Sequence, residues 1–377
     1  MARPSERYPL AIAHDYLTQR GGAERVVLAM SRAFPEAPIY TLLYDPDGTF
    51  PEFRDRRIVT SPLNRVGPLR RHHRAALPLL PVAASRLRVP ADVVLASSSG
   101  WAHAFRTDGR LIVYCHNPAR WLYQTTEYLG SGWRGALKGA ALALMRAGLV
   151  RWDRRAAARA DRYLANSSVV RERILRAYGI EAEVLFPPAD MNAEGRQHPV
   201  PELLDWSGEG YHLVVSRLLP YKNVDVVVEA FTGLDERLVV VGSGPEEARL
   251  RSMAGPNVRM LSGLTDEQLR WAYAHAVALI APSHEDFGLT PLEANAFGKP
   301  VVALRAGGYL DTVVEDRSGV FFITADAAAL RAALAAAKDR DWDVAEIIGN
   351  AQRFSPAVFT ERLMQVLAFG PGSRKPR

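Results

Sequence analysis

The chain has 377 residues, 48% of them hydrophobic and 23% charged, with one cysteine and a formal net charge of +6. That length exceeds one ordinary core and predicts two domains, and the composition excludes a fibrous or low-complexity chain. Cys115 on its own excludes an internal disulfide and a multi-cysteine metal cluster, which suits a reducing cytoplasm.

The charge is uneven. Residues 1–200 carry 29 Lys+Arg against 18 Asp+Glu, and residues 201–377 carry 18 against 23. A basic first half suits an anionic membrane, nucleic acid or a phosphorylated acceptor, or is simply an arginine-rich surface.

In chain order, "MARPSERYPLAIAHDY" lacks a basic start followed by a long apolar run and a cleavage site, so an unexported protein is expected. "YPLAIAH" reads as a buried strand running through Gly21 and Gly22 into a helix, "HDYLTQRGGAERVV". Adjacent glycines let backbone lie against a bound group, though a flexible turn reads the same way. "NRVGPLRRHHRAALPLLPVAASRLRVP" mixes cations with leucines. "DVVLASSS" is a second strand, followed by His103 in "SSSGWAHAF". "RLIVYCHN" is a third, ending on His116 with Pro118 blocking continuation. A histidine at a strand's end can donate to a sugar hydroxyl or move a proton, or it can be structural.

"GALKGAALALMRAGLV" is broken by Lys138 and Arg146 and is no membrane span. It opens "GWRGALKGAALALMRAGLVRWDRRAAARADR", a basic amphipathic stretch that would lie on anionic lipid or form core. After the strand "DRYLANSS", Pro, Gly and polar residues mark a seam near 187–210. The second half repeats the pattern with "YHLVVSR", "RLVVVGSG", "AVALIAPS" and "KPVVAL". Near-continuous Val/Ile/Leu runs alternating with helices predict an α/β fold, two Rossmann-like doubly wound domains with parallel sheets. "RFSPAVFTERLMQVLAF" is a final amphipathic helix and "GPGSRKPR" a frayed tail.

Ligands of such sheets bind at the carboxyl ends of the strands. There the second half places Arg217 and Lys222, two cations able to reach one diphosphate or left as solvated loop charges. It also places Gly242 and Gly244, the capping pair Thr265 and Gln268, and Gly307 with Gly308. In "HEDFGLTPLEANAFGKPVVA" Gly288 permits close backbone approach, Thr290 is an N-cap, Pro291 opens the helix, and Glu293 completes a capping box. Glu293 then either caps its own helix or, with Glu285, grips vicinal hydroxyls beside a phosphate on the helix N-terminus. "GSGWRG" at Gly130–Gly135 follows no strand and is a chance match. "DFG" at Asp286 has no kinase companions, and Asp45/Asp47 and Asp341/Asp343 stand away from the phosphate loops, so no metal is assigned. No nucleic-acid module accompanies the basic stretches.

The set Arg217-x4-Lys222 and Glu285-x7-Glu293, in "SRLLPYKNVD" and "EDFGLTPLEANAFGKPVVA", resembles the GT-B retaining glycosyltransferases of family 4, bacterial mannosyltransferase-like members especially. The likeness extends through "HDYLTQRGGAERVV", "YCHNPARWLY" and "RWDRRAAARADRYLANSSVVRERI" and so spans nearly the whole chain. It implies two domains facing across a cleft: an acceptor-binding one over 1–197 and a donor-binding one over 198–354, with a helix at about 355–370 packing back on the first. It implies a catalytic role for His116, the ribose on Glu293, the donor sugar on Glu285, and the diphosphate on Arg217 and Lys222. The donor pocket would further use Gly21, Gly22, Gly242, Gly244, Leu264, Phe287, Gly288 and Leu289. Implied too are a nucleotide-sugar donor (GDP-mannose favoured, UDP-sugars open), a hydroxyl acceptor, no cofactor and no metal. The localisation expected is cytoplasmic, with peripheral membrane contact through the basic half as the secondary alternative. A nucleotide-sugar epimerase on the same plan and a non-catalytic basic adaptor are the rivals.

Overall fold

A computed structural model describes residues 7–71, 79–123, 146–189 and 191–368. The chain divides into two compact units, Met1–Pro187 with Phe359–Arg377, and Pro188–Val358. The division precedes the boundary drawn at 197/198 because the intervening residues are tied to the second unit. Ala189 N–H donates to Phe354 O at 2.8 Å and His198 N–H to Glu267 O at 3.1 Å, while Val200 and Leu203 are fully buried in that unit's core.

The first unit is a seven-stranded sheet of β1 (Tyr8–Leu17), β2 (Ile39–Tyr44), β3 (Ile58–Thr60), β4 (Ala91–Ser98), β5 (Arg110–Cys115), β6 (Arg162–Ala165) and β7 (Glu183–Val184). Its order is β3-β2-β1-β4-β5-β6-β7, with all neighbours parallel. Successive side chains alternate between two apolar layers: Ala11, Ala13, Val94, Ala96 and Val113 enter one, and Ile12, Leu95, Ile112 and Tyr114 enter the other. Such burial on both faces explains why these strands read as continuous apolar runs. Helix Gly22–Ala33 fills the second layer through Val26, Val27 and Met30, as do Phe359, Leu363 and Val366 from Pro356–Ala368. Arg110 and Arg162 donate to the carbonyls of Leu367 (2.5 Å) and Val366 (3.3 Å), satisfying the open end of that last helix.

The second unit is a six-stranded parallel sheet of β8 (Tyr211–Val215), β9 (Leu238–Val241), β10 (Val258–Leu261), β11 (Ala276–Ala281), β12 (Val301–Leu304) and β13 (Gly319–Phe322). Its order is β10-β9-β8-β11-β12-β13. In each sheet the chain starts in the middle, builds outward on one side, and returns to build the other. The reversal lies between β1 and β4 in the first unit and between β8 and β11 in the second, and a crevice opens at the carboxyl ends of such a pair.

The eight quoted runs are β1, β4, β5, β6, β8, β9, β11 and β12; the other five strands were not expected. None of the described helices is long and apolar enough to cross a membrane. Parts of both basic stretches (72–78 and 132–145), Gly130–Gly135 and the tail from 370 lie outside the described residues.

Candidate functional site

In the second unit the loops after β8 and β11 meet at the reversal. Beyond β8 the chain exposes Arg217, buries Leu218, and makes a tight turn over Pro220–Lys222 that leaves Asn223 left-handed at φ 53°. Asn223 Nδ2 donates to Pro282 O at 2.9 Å, fastening this loop to the end of β11. Arg217 reaches only the Tyr221 hydroxyl, at 3.5 Å, and has no carboxylate partner among the described residues. Lys222 is buried, and its ammonium pairs with Glu285 Oε1. The same oxygen accepts from Ser283 Oγ at 2.8 Å, and that hydroxyl stands 3.0 Å from the Tyr309 hydroxyl. Burial, then the Glu285 charge, pushes the Tyr309 phenol up, so it stays protonated. Glu285 Oε2 has no hydrogen-bond partner among the described residues.

The turn 284–288 is clamped from the β12 side. Gly308 N–H donates to Glu285 O at 2.8 Å. A Cβ on Gly307 (φ 61°) would stand 2.3 Å from Glu285 O, and one on Gly308 would stand 2.3 Å from Phe287 Cα. Gly288 is left-handed at φ 87°, with the Tyr309 ring 2.5 Å from where its Cβ would be. It is the N-cap of Leu289–Ala296, which no side chain caps. The helix therefore begins before Thr290 and Pro291, and the expected capping box is not formed. Glu293 Oε2 instead accepts from Tyr273 O–H at 2.7 Å. Burial and then Glu293 hold that phenol well above its ordinary range, so it remains a donor. The box that does form joins Thr265 and Gln268.

Gly242 and Gly244 serve close approach of another kind. Their Cβ atoms would meet Ser216 O at 1.8 Å and Leu218 O at 2.3 Å, so they let the β9 loop lie on the β8 loop's own backbone. Leu264 is half-buried against the core, Leu289 half-buried in the first helical turn, and Phe287 buried with its ring 5.8 Å from that of Phe354. A cavity of about 460 Å³ lies at the opposite, amino-terminal edge of this sheet. Both cations in its lining are paired with carboxylates of the same lining, Arg237 with Glu209 (3.0 Å) and Lys338 with Glu236 (2.9 Å). The candidate site is therefore the loop cluster and not this cavity.

In the first unit, His116 follows β5 and is buried, with Nε2 2.8 Å from Ser97 Oγ. Ser97 in turn faces His14 of β1, whose Nε2 lies 3.9 Å from the buried Glu24 carboxylate. Burial opposes a charge on His14, but Glu24 and Asp15 outweigh it and raise the pKa. Burial, then that neighbouring charge, lowers His116 to about 3. Of the two roles expected for His116, this environment favours hydrogen-bond donation over proton transfer near neutral pH. Gly21 sits over Glu24 Oε2, 2.5 Å from its would-be Cβ, whereas a Cβ on Gly22 meets nothing within 4 Å. His103 bridges Ser98 Oγ (3.1 Å) and Asp153 Oδ1 (2.9 Å), with Tyr123 on the other Asp153 oxygen (2.9 Å). The order matches a hydrolase triad, but all three members are buried, as in a structural network.

Sequence reasoning missed Tyr273, Tyr309, Ser283, His14, Ser97 and Glu24. His14 closes the quoted run "YPLAIAH" and Ser97 lies in the serine end of "DVVLASSS", the one legible signal among them, although β1 runs on to Leu17 and β4 to Ser98.

A family model described as "Glycosyltransferase Family 4" matches residues 20–192, and one described as "Glycosyl transferases group 1" matches 203–354. D-rhamnosyltransferase WbpZ of Pseudomonas aeruginosa is 26% identical over 221 residues, 55% of this chain and 55% of that protein. A GDP-mannose-dependent alpha-mannosyltransferase of Mycobacterium tuberculosis is 32% identical over 181 residues, 45% of this chain and 46% of that protein. The chain thus matches about half the length of these curated relatives. Among solved structures, HepE of Anabaena in complex with UDP has a TM-score of 0.69 at 18% identity, covering 95% of this chain and 99% of that one. That likeness is one of fold.

Proposed function

The chain belongs to glycosyltransferase family 4 of the GT-B fold, and from that premise we propose that it moves a hexose from a nucleotide diphosphate sugar to a hydroxyl acceptor with retention. One observation carries the reading: Lys222 and Glu285 meet at the β8/β11 reversal, with exposed Arg217 and the uncapped helix start at Gly288 around them. Arg217, Lys222 and the helix N-terminus stabilise the charge that grows on the departing diphosphate. The scheme gives that task to protein groups and needs no metal ion. Glu285 orients the sugar through its open oxygen, and Glu293, set by Tyr273, takes the ribose hydroxyls. The acceptor oxygen attacks the face the leaving group vacates and passes its proton to the departing phosphate.

Mannose from GDP-mannose is favoured because a matching relative is named for that donor; the UDP complex of HepE keeps UDP-sugars as the competing choice. A glycan, a lipid-linked glycan or a natural-product core is the acceptor class. Contact with an anionic membrane is a further part of the proposal: eight arginines and no acidic residue occupy 56–91, where Val66, Leu79 and Val82 are exposed. Cosedimentation with phosphatidylglycerol vesicles that fails at low salt removes that part.

The test of the main reading is a thermal-shift panel of GDP-mannose, UDP-glucose and a dTDP-sugar, followed by product analysis with candidate acceptors. One donor should raise the melting temperature and yield a glycosylated product. A donor that is only epimerised, or no shift with any of them, defeats it.

A further inference from the structure

The groups around His116 leave its proton one place to be. His14 Nδ1 lies 3.0 Å from the carbonyl oxygen of Ser97 and 3.1 Å from its Oγ. A carbonyl oxygen only accepts, so His14 Nδ1 carries a proton. That N–H also faces the Ser97 hydroxyl, which therefore cannot direct its own proton back to His14. The hydroxyl has one proton, and the acceptor left for it is His116 Nε2 at 2.8 Å. The opposite arrangement, with both imidazoles donating to Ser97 Oγ, would leave the hydroxyl proton no acceptor among the described residues. Once His116 Nε2 accepts, its ring proton sits on Nδ1, the nitrogen with no hydrogen-bond partner among the described residues.

We infer that Ser97 is a positioning residue which, with His14, fixes His116 as the Nδ1–H tautomer and so makes it a hydrogen-bond donor to a substrate oxygen rather than a base. Which nitrogen of a histidine is free to work is set by what holds the other. Glu24 supports the arrangement from behind, its carboxylate facing the far nitrogen of His14, so that this ring keeps protons on both sides. The placement also explains why a serine stands at position 97 of β4, between two histidines: alanine there would leave the His116 ring free to exchange tautomers. The functional half of the inference rests on the proposed role of His116 at the substrate; the tautomer itself does not.

The experiment is 15N-edited imidazole spectroscopy of the full chain labelled at histidine, with His116 picked out among the nine histidines by its loss in His116→Gln. Wild type should show a protonated Nδ1 and a bare Nε2 at His116. Ser97→Ala should populate the Nε2–H form, and Ser97→Thr should restore the wild-type pattern. A wild-type spectrum with Nε2 protonated, or an unchanged tautomer in Ser97→Ala, overturns the inference. If Ser97→Ala does not fold, the wild-type spectrum still decides. With GDP-mannose and UDP-glucose as probes, Ser97→Ala should lower turnover about tenfold, the size of one lost hydrogen bond, and Ser97→Thr should recover it. Full turnover in Ser97→Ala despite a switched tautomer overturns the positioning role. A wild-type protein that turns over neither probe counts against the proposed function alone, because the spectrum still settles the tautomer.

Discussion

Lys222 and Glu285, 63 residues apart in the chain, share an ion pair in which each comes from a different loop at one reversal of the sheet. Lys222 is the more buried partner, its side chain 10% exposed against 26% for Glu285. The Glu285 carboxylate is anchored at one oxygen by Lys222 and Ser283, and its other oxygen has no hydrogen-bond partner among the described residues, the one the proposed function gives to the sugar. Lys222→Ala and Glu285→Ala should therefore each lower turnover at least about 100-fold, the scale of a lost transition-state contact. Circular dichroism should show both variants folded. Near-wild-type rates in both would strip the pair of its role.

Gly288 combines a left-handed backbone with the Tyr309 ring 2.5 Å from its missing Cβ. Gly288→Ala should destabilise the protein by about 1–3 kcal/mol, the usual range for a strained backbone position, and abolish the thermal shift given by nucleotide sugar. Unchanged chemical denaturation in that variant would contradict the described turn.

The paired glycines of the first unit should behave differently from each other. Gly22→Ala adds a methyl where nothing lies within 4 Å, so stability should stay within about 0.5 kcal/mol of wild type. Turnover should nonetheless fall if a bound group lies against that backbone. Gly21→Ala drives a methyl toward Glu24 Oε2, 2.5 Å away, and should lower stability. Equal melting temperatures for the two variants would refute this distinction.

The two coupled histidines have opposite pH signatures. His14, raised above 6.5, holds a proton the unfolded chain lacks, and the stability it adds below pH 6.5 is lost as pH rises through its folded pKa. His116, lowered to about 3, stays neutral while the unfolded chain protonates. Its contribution declines as pH falls from 6.5 toward 3, by up to about 1.4 kcal/mol per pH unit. Their joint contribution is thus largest near pH 6.5. Unfolding free energies of His116→Asn should change less steeply than wild type between about pH 5 and pH 6.5. Parallel slopes would show that His116 is not held neutral.

The fold was legible where burial on both strand faces wrote continuous apolar runs, as in β4, β5, β8 and β11. β3 and β7 escaped because three and two residues carry no periodic signal. β10, "VRML", carries Arg259 and buries only Met260, so it writes no continuous apolar run, whereas "IYTLLY" of β2 and "GVFF" of β13 were readable. At the site, the charged residues and glycines announced themselves through spacing, but their partners did not. Tyr273 reaches Glu293 from another helix, and Tyr309 meets Ser283 across the sheet, relations set by tertiary packing alone. The capping box expected at Glu293 failed for a related reason: Gly288 starts the helix earlier than a Thr–Pro–Glu pattern suggests, so the carboxylate falls beyond the first turn and turns to Tyr273. Gly242 and Gly244 show that a glycine-rich loop in sequence does not say whose backbone approaches.

The decisive measurement is calorimetric titration of GDP and UDP into wild type, Arg217→Ala and Lys222→Ala. Wild type should bind one of the two nucleotides, and each variant should bind it at least about tenfold more weakly, as loss of a charged hydrogen bond requires. Affinity for that nucleotide left intact in both variants would mean that the diphosphate is not held by these two cations.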